Sequence, residues 1–393
     1  LKLLILSFYY EPDLCAGSFR CTALVKQLLR EKEGRLDIEV ITTLPNRYAT
    51  YSKDAPQHEK RDNLEIHRVA LPIHKSGMVD QVKAFYFFYR SALEISKSKD
   101  YDLIVATSSR LFTAFLGARI AKRKRVPLYL DVRDIFLDTL KDVLPSKLSI
   151  VLLPILNLFE KYTFKGAAKV NLVSGGFVDY FKSRYPALIY DLYTNGIDKE
   201  FVKAGSEKQG ADNSSEERKI ILYAGNIGEG QGLHKVVPEL AAKIGSGYVF
   251  KIIGDGGRKQ QLMDALQMQG VSNVELIPPV PRQELVLYYK KADILFLHLN
   301  DYEAFEKVLP SKVFEYAAFN KPILAGVAGY SAGFIERKIT NSGVFPPCNV
   351  ERAAQLIAGF SYDGEPRDEF IHNYSRESIM NNMSKSVLSM LPR

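Results

Sequence analysis

The chain has 393 residues, 46% apolar and 25% charged, enough for two or three ordinary globular domains. Three cysteines (Cys15, Cys21, Cys348) at no metal-ligand spacing exclude a disulfide scaffold and point to a reducing compartment. No apolar run reaches the roughly 20 residues of a spanning helix; the longest, 150–159, is broken by Pro154 and Asn157. Residues 1–10 read as a strand rather than a signal peptide.

The net charge of +8 is unevenly placed. Residues 1–196 hold 30 Lys+Arg against 21 Asp+Glu, and the remainder hold 23 against 24. An anionic partner is therefore expected for the first half. The basic residues are scattered and form no nucleic-acid-binding signature, so a membrane surface or a phosphorylated acceptor is expected and nucleic acid is not.

In chain order, apolar strand-like runs occupy 3–8, 38–44, 64–70, 103–107, 128–132 and 170–174. Helical patterns separate most of them, as at 20–31 and 112–122. A helix over 82–92 carries five consecutive aromatics, which cannot all face one side, between Lys83 and Arg90. The stretch 147–165 has an apolar centre flanked by Lys147, Lys161 and Lys165. Both suit a helix lying on an anionic interface, a core, or a subunit contact. Tyr193-Thr194-Asn195-Gly196-Ile197-Asp198 closes this half as a turn. A polar stretch without periodicity, 203–218, follows. A second series of strands begins at Lys219: 220–224, 249–254, 274–277, 294–299 and 323–326. Continuous Leu/Ile/Val strands with helical spacers mean α/β architecture with parallel sheets. The expected organisation is two doubly wound, Rossmann-like domains, 1–196 and 197–365. A helical segment, 366–393, packs back on the first. Ligands of such sheets bind beyond the carboxyl ends of the strands, here in a cleft between the halves.

Three strands end in small-residue turns: Glu11–Ser18, with Gly17 and Ser18 leading into the helix with Arg20; Gly225-Asn226-Ile227-Gly228-Glu229-Gly230-Gln231-Gly232; and Gly254-Asp255-Gly256-Gly257-Arg258. None is a dinucleotide fingerprint or a P-loop. Together they suggest backbone approaching a ligand. Phe305–Tyr316 adds a Pro310-Ser311 turn feeding a helix with Glu315 inside it and Lys307 and Lys312 beside it. Helix-terminal N–H groups and lysines suit a diphosphate, and an acceptor-only carboxylate suits a sugar diol. The same residues also make an ordinary helix capped by Ser311 with Glu315 solvated. Asp131-Val132-Arg133-Asp134 ends a buried strand. Its carboxylates are candidates to orient reacting hydroxyls, or the group is a salt bridge at a strand end. The acidic pair Asp100 and Asp102 reads as a solvated strand entry, and the six histidines show no ligand spacing.

Tyr223–Gly228, Ile252–Gly256 and Pro310–Tyr316, with Phe8–Pro12, Asp131–Asp134 and Asn195–Asp198, resemble glycosyltransferase family 4 (group 1). The resemblance spans about residues 1–375 and is nearest to the branch that builds bacterial surface polysaccharides. It implies the GT-B fold and transfer from a nucleotide diphosphate sugar with retention and without a metal or other cofactor. Uridine is favoured over guanosine, and an aminosugar is in range. The implied acceptor is a glycan or lipid-linked sugar at the cytoplasmic face of the membrane. Implied catalytic positions are Asp131, Asp134, Glu315 and Lys307. Implied donor contacts are Gly17, Ser18, Gly225, Asn226, Gly228, Gly254, Asp255, Gly256, Arg258, Val280, Leu309, Pro310, Ser311, Lys312 and Glu315, and implied acceptor contacts Arg20 and Arg133. Three departures stand out. Lys307 replaces the first of two family glutamates, whose second is Glu315. Asn226 replaces an arginine and Gln231 a lysine. Arg258, Lys307 and Lys312 are then the cations left for the diphosphate. Rival readings are a sugar-nucleotide epimerase or phosphorylase of the same architecture, a nucleotide-binding oxidoreductase, and a non-catalytic sugar-nucleotide-binding protein.

Overall fold

In a computed structural model the chain is described except at residues 33, 46–53, 73–77, 109–110, 139–145, 208–217 and 393, with the side chains of 78, 79, 81 and 146–149 also outside the description. His74 and the side chain of Lys147 therefore lie outside the described residues. The chain divides into two units, Leu1–Asn195 with Glu377–Arg393, and Gly196–Arg376.

The first unit is built on an 8-stranded sheet in the order β3-β4-β2-β1-β5-β6-β7-β8. The strands are β1 (Lys2–Leu6), β2 (Asp37–Thr43), β3 (His58–Arg61), β4 (Leu64–Val69), β5 (Leu103–Thr107), β6 (Leu128–Val132), β7 (Lys169–Leu172) and β8 (Ile189–Asp191). All pairings are parallel except β3 with β4. Strands β5 and β6 are buried at every position, as their largely apolar runs require, with Thr107 and Asp131 the buried polar exceptions. The sequence pattern missed β3, because an edge strand reading His-Glu-Lys-Arg has no apolar face; such charge also blocks further pairing. Helices α1 (Ala16–Glu31), α2 (Met78–Lys97), α3 (Leu111–Lys124), α4 (Ser146–Lys165) and α5 (Val178–Arg184) belong to this unit. In the aromatic run of α2, Phe88 is fully buried against Phe8, whereas Tyr86 and Phe87 are exposed.

The second unit carries a 6-stranded sheet, all parallel, in the order β11-β10-β9-β12-β13-β14. Its strands are β9 (Lys219–Ala224), β10 (Tyr248–Ile253), β11 (Val274–Ile277), β12 (Ile294–His298), β13 (Ile323–Gly326) and β14 (Ser342–Phe345). The helices are α6 (Lys199–Ser206), α7 (Leu233–Ile244), α8 (Lys259–Met268), α9 (Arg282–Lys291), α10 (Lys312–Ala317), α11 (Gly329–Lys338), α12 (Val350–Gly359) and α13 (Asp368–Asn373). The chain returns to the first unit at Glu377, not at 366, because Phe370 belongs to the core of the second unit. The final helix α14 (Arg376–Leu388) buries Ile379, Met380, Met383 and Val387.

In each sheet the chain reverses direction of growth beside one central strand, β1 in the first and β9 in the second. Such a reversal leaves a crevice at the carboxyl ends of the strands. The Gly17 turn follows β1 and the Gly225 turn follows β9, so sheet topology puts both turns where a ligand belongs.

Candidate active site

In the first unit, β6 delivers Asp131 to a closed network. Arg20, fully buried on α1, donates from Nε to Asp131 Oδ2 (2.8 Å) and from Nη2 to Oδ1 (2.9 Å). Asn171 donates to the same Oδ1 at 2.7 Å. The remaining Arg20 hydrogens go to the carbonyls of Thr194 (2.6 Å) and Tyr193 (2.8 Å) and to Met383 Sδ. Burial pushes the Asp131 pKa up, but the Arg20 guanidinium outweighs it and holds the carboxyl below its ordinary value. Two expectations are corrected here. Arg20, implied as an acceptor contact, and Asp131, implied as a catalytic position, are instead each the other's buried partner.

Arg133 and Asp134 remain at the surface of this strand end. Asp134 is exposed and Arg133 half-buried. The Arg133 backbone N–H donates to Ser108 Oγ (2.9 Å) and its Nη1 to the Ala16 carbonyl (3.3 Å). A methyl group at Gly17 would lie 3.5 Å from Arg133 Nη1, so the guanidinium stands directly over the first glycine turn. Ser18 is buried and its Oγ has no hydrogen-bond partner.

In the second unit, the glycines of the two later turns serve each other. A Cβ at Gly254 would fall 1.8 Å from the Gly225 carbonyl oxygen, and one at Gly256 would fall 2.5 Å from that of Ile227. Ile227 N–H donates to Asp255 O and Arg258 N–H to Ile227 O, both at 2.9 Å. These glycines are required because two backbones cross without room for a side chain. Asn226 Nδ2 donates to Gln231 Oε1 (2.9 Å), so these two residues bond to each other across the turn.

Around this crossing lie residues that the sequence did not single out. Glu229 Oε1 accepts from Tyr302 (2.5 Å) and Asn300 (3.2 Å), and Glu229 Oε2 faces Arg258 Nε at 2.5 Å. Lys235 donates to Asn300 Oδ1 at 3.0 Å. His298, buried at the end of β12, faces the Gln231 carbonyl with Nδ1 (2.7 Å) and accepts from the Cys348 N–H with Nε2 (2.9 Å). That pair of bonds fixes the neutral tautomer protonated on Nδ1. Burial lowers its pKa to about 4. A period-two strand reading could have flagged His298 and Asn300, since polar residues at the end of a buried strand need partners.

Glu315 is buried on α10. Its Oε2 accepts from Tyr289 Oη (3.0 Å) and from Lys312 Nζ (2.8 Å). Neither bond involves Oε1, which is left to accept from something else. Two expectations about this segment change. Helix α10 has only 6 residues, too few for a strong dipole, and Ser311 makes no side-chain cap. Glu315 is not solvated. Lys312 also approaches Gly225, whose added Cβ would lie 3.7 Å from Lys312 Cε. Hence α10 and the first of the crossed turns meet. Leu309 is buried, Pro310 and Ser311 are half-buried beside it, and Lys307 ends the short turn Glu303–Lys307. Val280 packs against the core cluster of this unit. The structure thus brings Gly225, Lys312 and Glu315 into one group, and Asn226, Gly228, Gly254, Asp255, Gly256 and Arg258 into the adjoining turns.

Residues 206–377 match the family Glycosyl transferases group 1. The matched stretch, 172 of the 393 residues, lies almost wholly in the second unit. The matched stretch contains both crossed turns, Tyr289 and the whole 305–316 segment. A segment of 96 residues is 36% identical to WcaI of Escherichia coli (strain K12), described as a candidate colanic acid biosynthesis glycosyl transferase; it spans 24% of this chain and only 23% of that protein. Solved structures are similar over nearly the full length. Sucrose-phosphate synthase from Thermosynechococcus elongatus has a TM-score of 0.74 at 14% identity, covering 99% of this chain and 98% of its own. Anabaena HepE in complex with UDP and glucose gives 0.66 at 13% identity, covering 99% and 100%. WaaG, a glycosyltransferase involved in lipopolysaccharide biosynthesis, gives 0.65 at 14% identity, covering 98% and 95%. At these identities the likeness establishes the fold, which is GT-B.

Proposed function

We propose that the protein transfers a sugar from a nucleotide diphosphate sugar to a glycan or lipid-linked acceptor in the assembly of a bacterial surface polysaccharide. Retention at the anomeric carbon, a UDP-linked donor, an aminosugar among the candidates, and no metal requirement are parts of this reading. The observation that carries it is Glu315, inside a group 1 domain, buried with one carboxylate oxygen bonded and the other available. Ribose hydroxyls donating to Oε1 would complete the carboxylate.

Transfer builds negative charge on the leaving diphosphate, and fixed donors and cations aimed there stabilise it. Lys312, beside Gly225, is the nearest such cation, with Arg258 and Lys307 on adjoining segments. In the first unit, Arg133 over Gly17 and the exposed Asp134 are the residues left to meet a substrate. The test is turnover. The protein is incubated with UDP- and GDP-sugars and an acceptor mixture, and nucleoside diphosphate release is followed with and without EDTA. Proton NMR of the product reads retention from the anomeric coupling. Absence of any acceptor-dependent release across the donor set overturns the reading.

Membrane docking of the first unit at the cytoplasmic face belongs to the same proposal. Val82, Tyr86 and Phe87 on α2 and Ile150, Val151, Ile155 and Leu158 on α4 are exposed, Leu158 to 67%. Lys83, Arg90, Lys161 and Lys165 on the same helices are exposed too. Apolar side chains ringed by basic ones suit an anionic bilayer surface. No helix of the described residues is long and apolar enough to cross a membrane.

A further inference from the structure

Far from the glycine turn, toward the amino ends of β1 and β2, the first sheet gathers a second group of polar side chains. His58 on β3 and His67 on β4 are register partners of the antiparallel pair. Glu65 lies two residues before His67 and so shares its face. Glu39 on β2 is the register partner of Glu65. Three lone-pair donors from two paired strands, His58, Glu65 and His67, therefore lie within 4.8 Å of one another, and Glu39 Oε1 stands 3.3 Å from His67 Nε2 on the next strand. Among the described residues, no other group of three His, Cys, Asp or Glu comes within ligand reach of a common point.

We propose that His58, Glu65 and His67, with the Glu39 carboxylate behind His67, form a binding site for a divalent transition metal, zinc in the first instance. Ligands at about 2.0–2.1 Å around tetrahedral zinc stand roughly 3.3 Å from one another. Here Glu65 Oε1 is 3.1 Å from His58 Nε2 and 3.0 Å from His67 Nε2, and His67 Nε2 is 3.3 Å from Glu39 Oε1. The imidazole rings are stacked, with centroids 4.8 Å apart. The donor set, two imidazoles with carboxylates, is one that zinc takes.

A cation already marks the spot. Lys99 Nζ lies 2.8 Å from Glu39 Oε1, 3.2 Å from His67 Nε2 and 3.4 Å from Glu65 Oε1. That arrangement leaves one conflict. His67 Nε2 faces two carboxylate oxygens and an ammonium. A nitrogen that accepts from Lys99 cannot donate to either glutamate, and one that donates cannot accept. A metal ion resolves this by taking the nitrogen lone pair and the Glu65 carboxylate, leaving the Glu39 carboxylate to Lys2, Tyr101 and the ion's outer sphere. The Lys99 side chain is 26% exposed and can swing into water. The outer partners are present: Tyr101 Oη donates to Glu39 Oε2 at 3.2 Å, and Lys2 lies 3.3 Å from the same oxygen. Such partners orient a ligating carboxylate. The metal would fasten the edge strand β3 to β4 and β2. Spacing along the sequence conceals the site, because strand pairing rather than a short loop or helix turn brings His58 to His67.

The test uses untagged full-length protein treated with EDTA and then titrated calorimetrically with zinc chloride, with cobalt chloride and visible absorption as a second readout. One equivalent is expected to bind in the micromolar range or tighter. His58→Ala, at an exposed edge position, and His67→Ala are each expected to weaken binding at least tenfold. Lys99→Ala removes the competing ammonium and is expected to tighten it several-fold. Saturating zinc is also expected to raise the melting temperature of the wild type and not of His58→Ala. No saturable binding to wild type and Lys99→Ala, or binding unchanged by His58→Ala, overturns the site.

Discussion

Asp131→Asn separates a structural role from a catalytic one. The Asp131 and Arg20 side chains are 3% and 1% exposed, and Arg20 also carries the Tyr193 and Thr194 carbonyls. Asparagine keeps the volume but presents an amide N–H₂ or a neutral oxygen to a buried guanidinium. Breaking a buried pair by removing one charge costs about 3–5 kcal/mol, because the other charge stays buried and uncompensated. For a unit of this size each kcal/mol lowers the melting temperature by about 2–4 °C, so a drop of roughly 6–20 °C is expected. The pH dependence has a definite sign. The folded-state pKa of Asp131 lies below its ordinary value, so its contribution is present above the unfolded pKa and is lost as pH falls through the folded one. The asparagine variant lacks that acid-side loss. Circular dichroism melts at several pH values measure both. Replacing Arg20 and Asp131 together by leucine and methionine is expected to recover much of the stability. A variant that melts like wild type while losing turnover would refute this reasoning and restore Asp131 as a catalytic residue.

Glu315→Gln is expected to weaken nucleoside diphosphate binding by roughly one to two decades, as charge-assisted bonds of about 1.5–3 kcal/mol are lost. Equal affinity in calorimetry would remove Glu315 from the site. His298 ties the Gln231 and Cys348 segments as a neutral ring whose pKa burial lowers to about 4. From a pH near 6.5 down to about 4 the unfolded chain takes up a proton that the folded chain refuses, so stability should fall by up to about 3 kcal/mol over that window. His298→Asn should flatten this slope in urea titrations. Arg133→Met should lower turnover with little change in melting temperature, and an equally large loss of both would make it structural. Co-sedimentation with anionic vesicles should fall with salt and with Phe87→Ser plus Leu158→Ser; Phe88 in the same aromatic run is core and is left in place. A protein that stays in the supernatant at low salt would favour a soluble acceptor.

Much of this architecture is legible in the sequence, and the reason is burial. Strands buried on both faces cannot hide, because their run is apolar up to the carboxyl end, and β5, β6, β12 and β13 are of that kind. The edge strand β3 is solvated and charged, so periodicity carries no trace of it. The glycine turns are visible as composition, but their purpose is not. Sequence suggests glycine for a ligand's sake, whereas Gly254 and Gly256 are demanded by the Gly225 and Ile227 carbonyls. Polar residues are the least legible, since one letter serves an exposed carboxylate and a buried ion pair alike. Asp131 and Asp134 stand three residues apart at one strand end; one is sealed by Arg20 and Asn171 and the other is exposed. Only the tertiary partner decides, and Arg20 lies more than a hundred residues earlier in the chain. The same logic applies to the departures from the family pattern. Asn226 and Gln231 look like lost cations when read singly. In the fold they bond to each other, beside a glutamate that holds Arg258. The turn therefore holds a closed polar network without a cation of its own. The positive charge nearest Gly225 now comes from Lys312, on a different segment, held in place by Glu315 and Tyr289. A donor diphosphate at this turn would thus draw Lys312 partly away from Glu315. Nucleotide binding and the Glu315–Lys312 pair should then be energetically coupled, which a double-mutant cycle on the two residues measures directly.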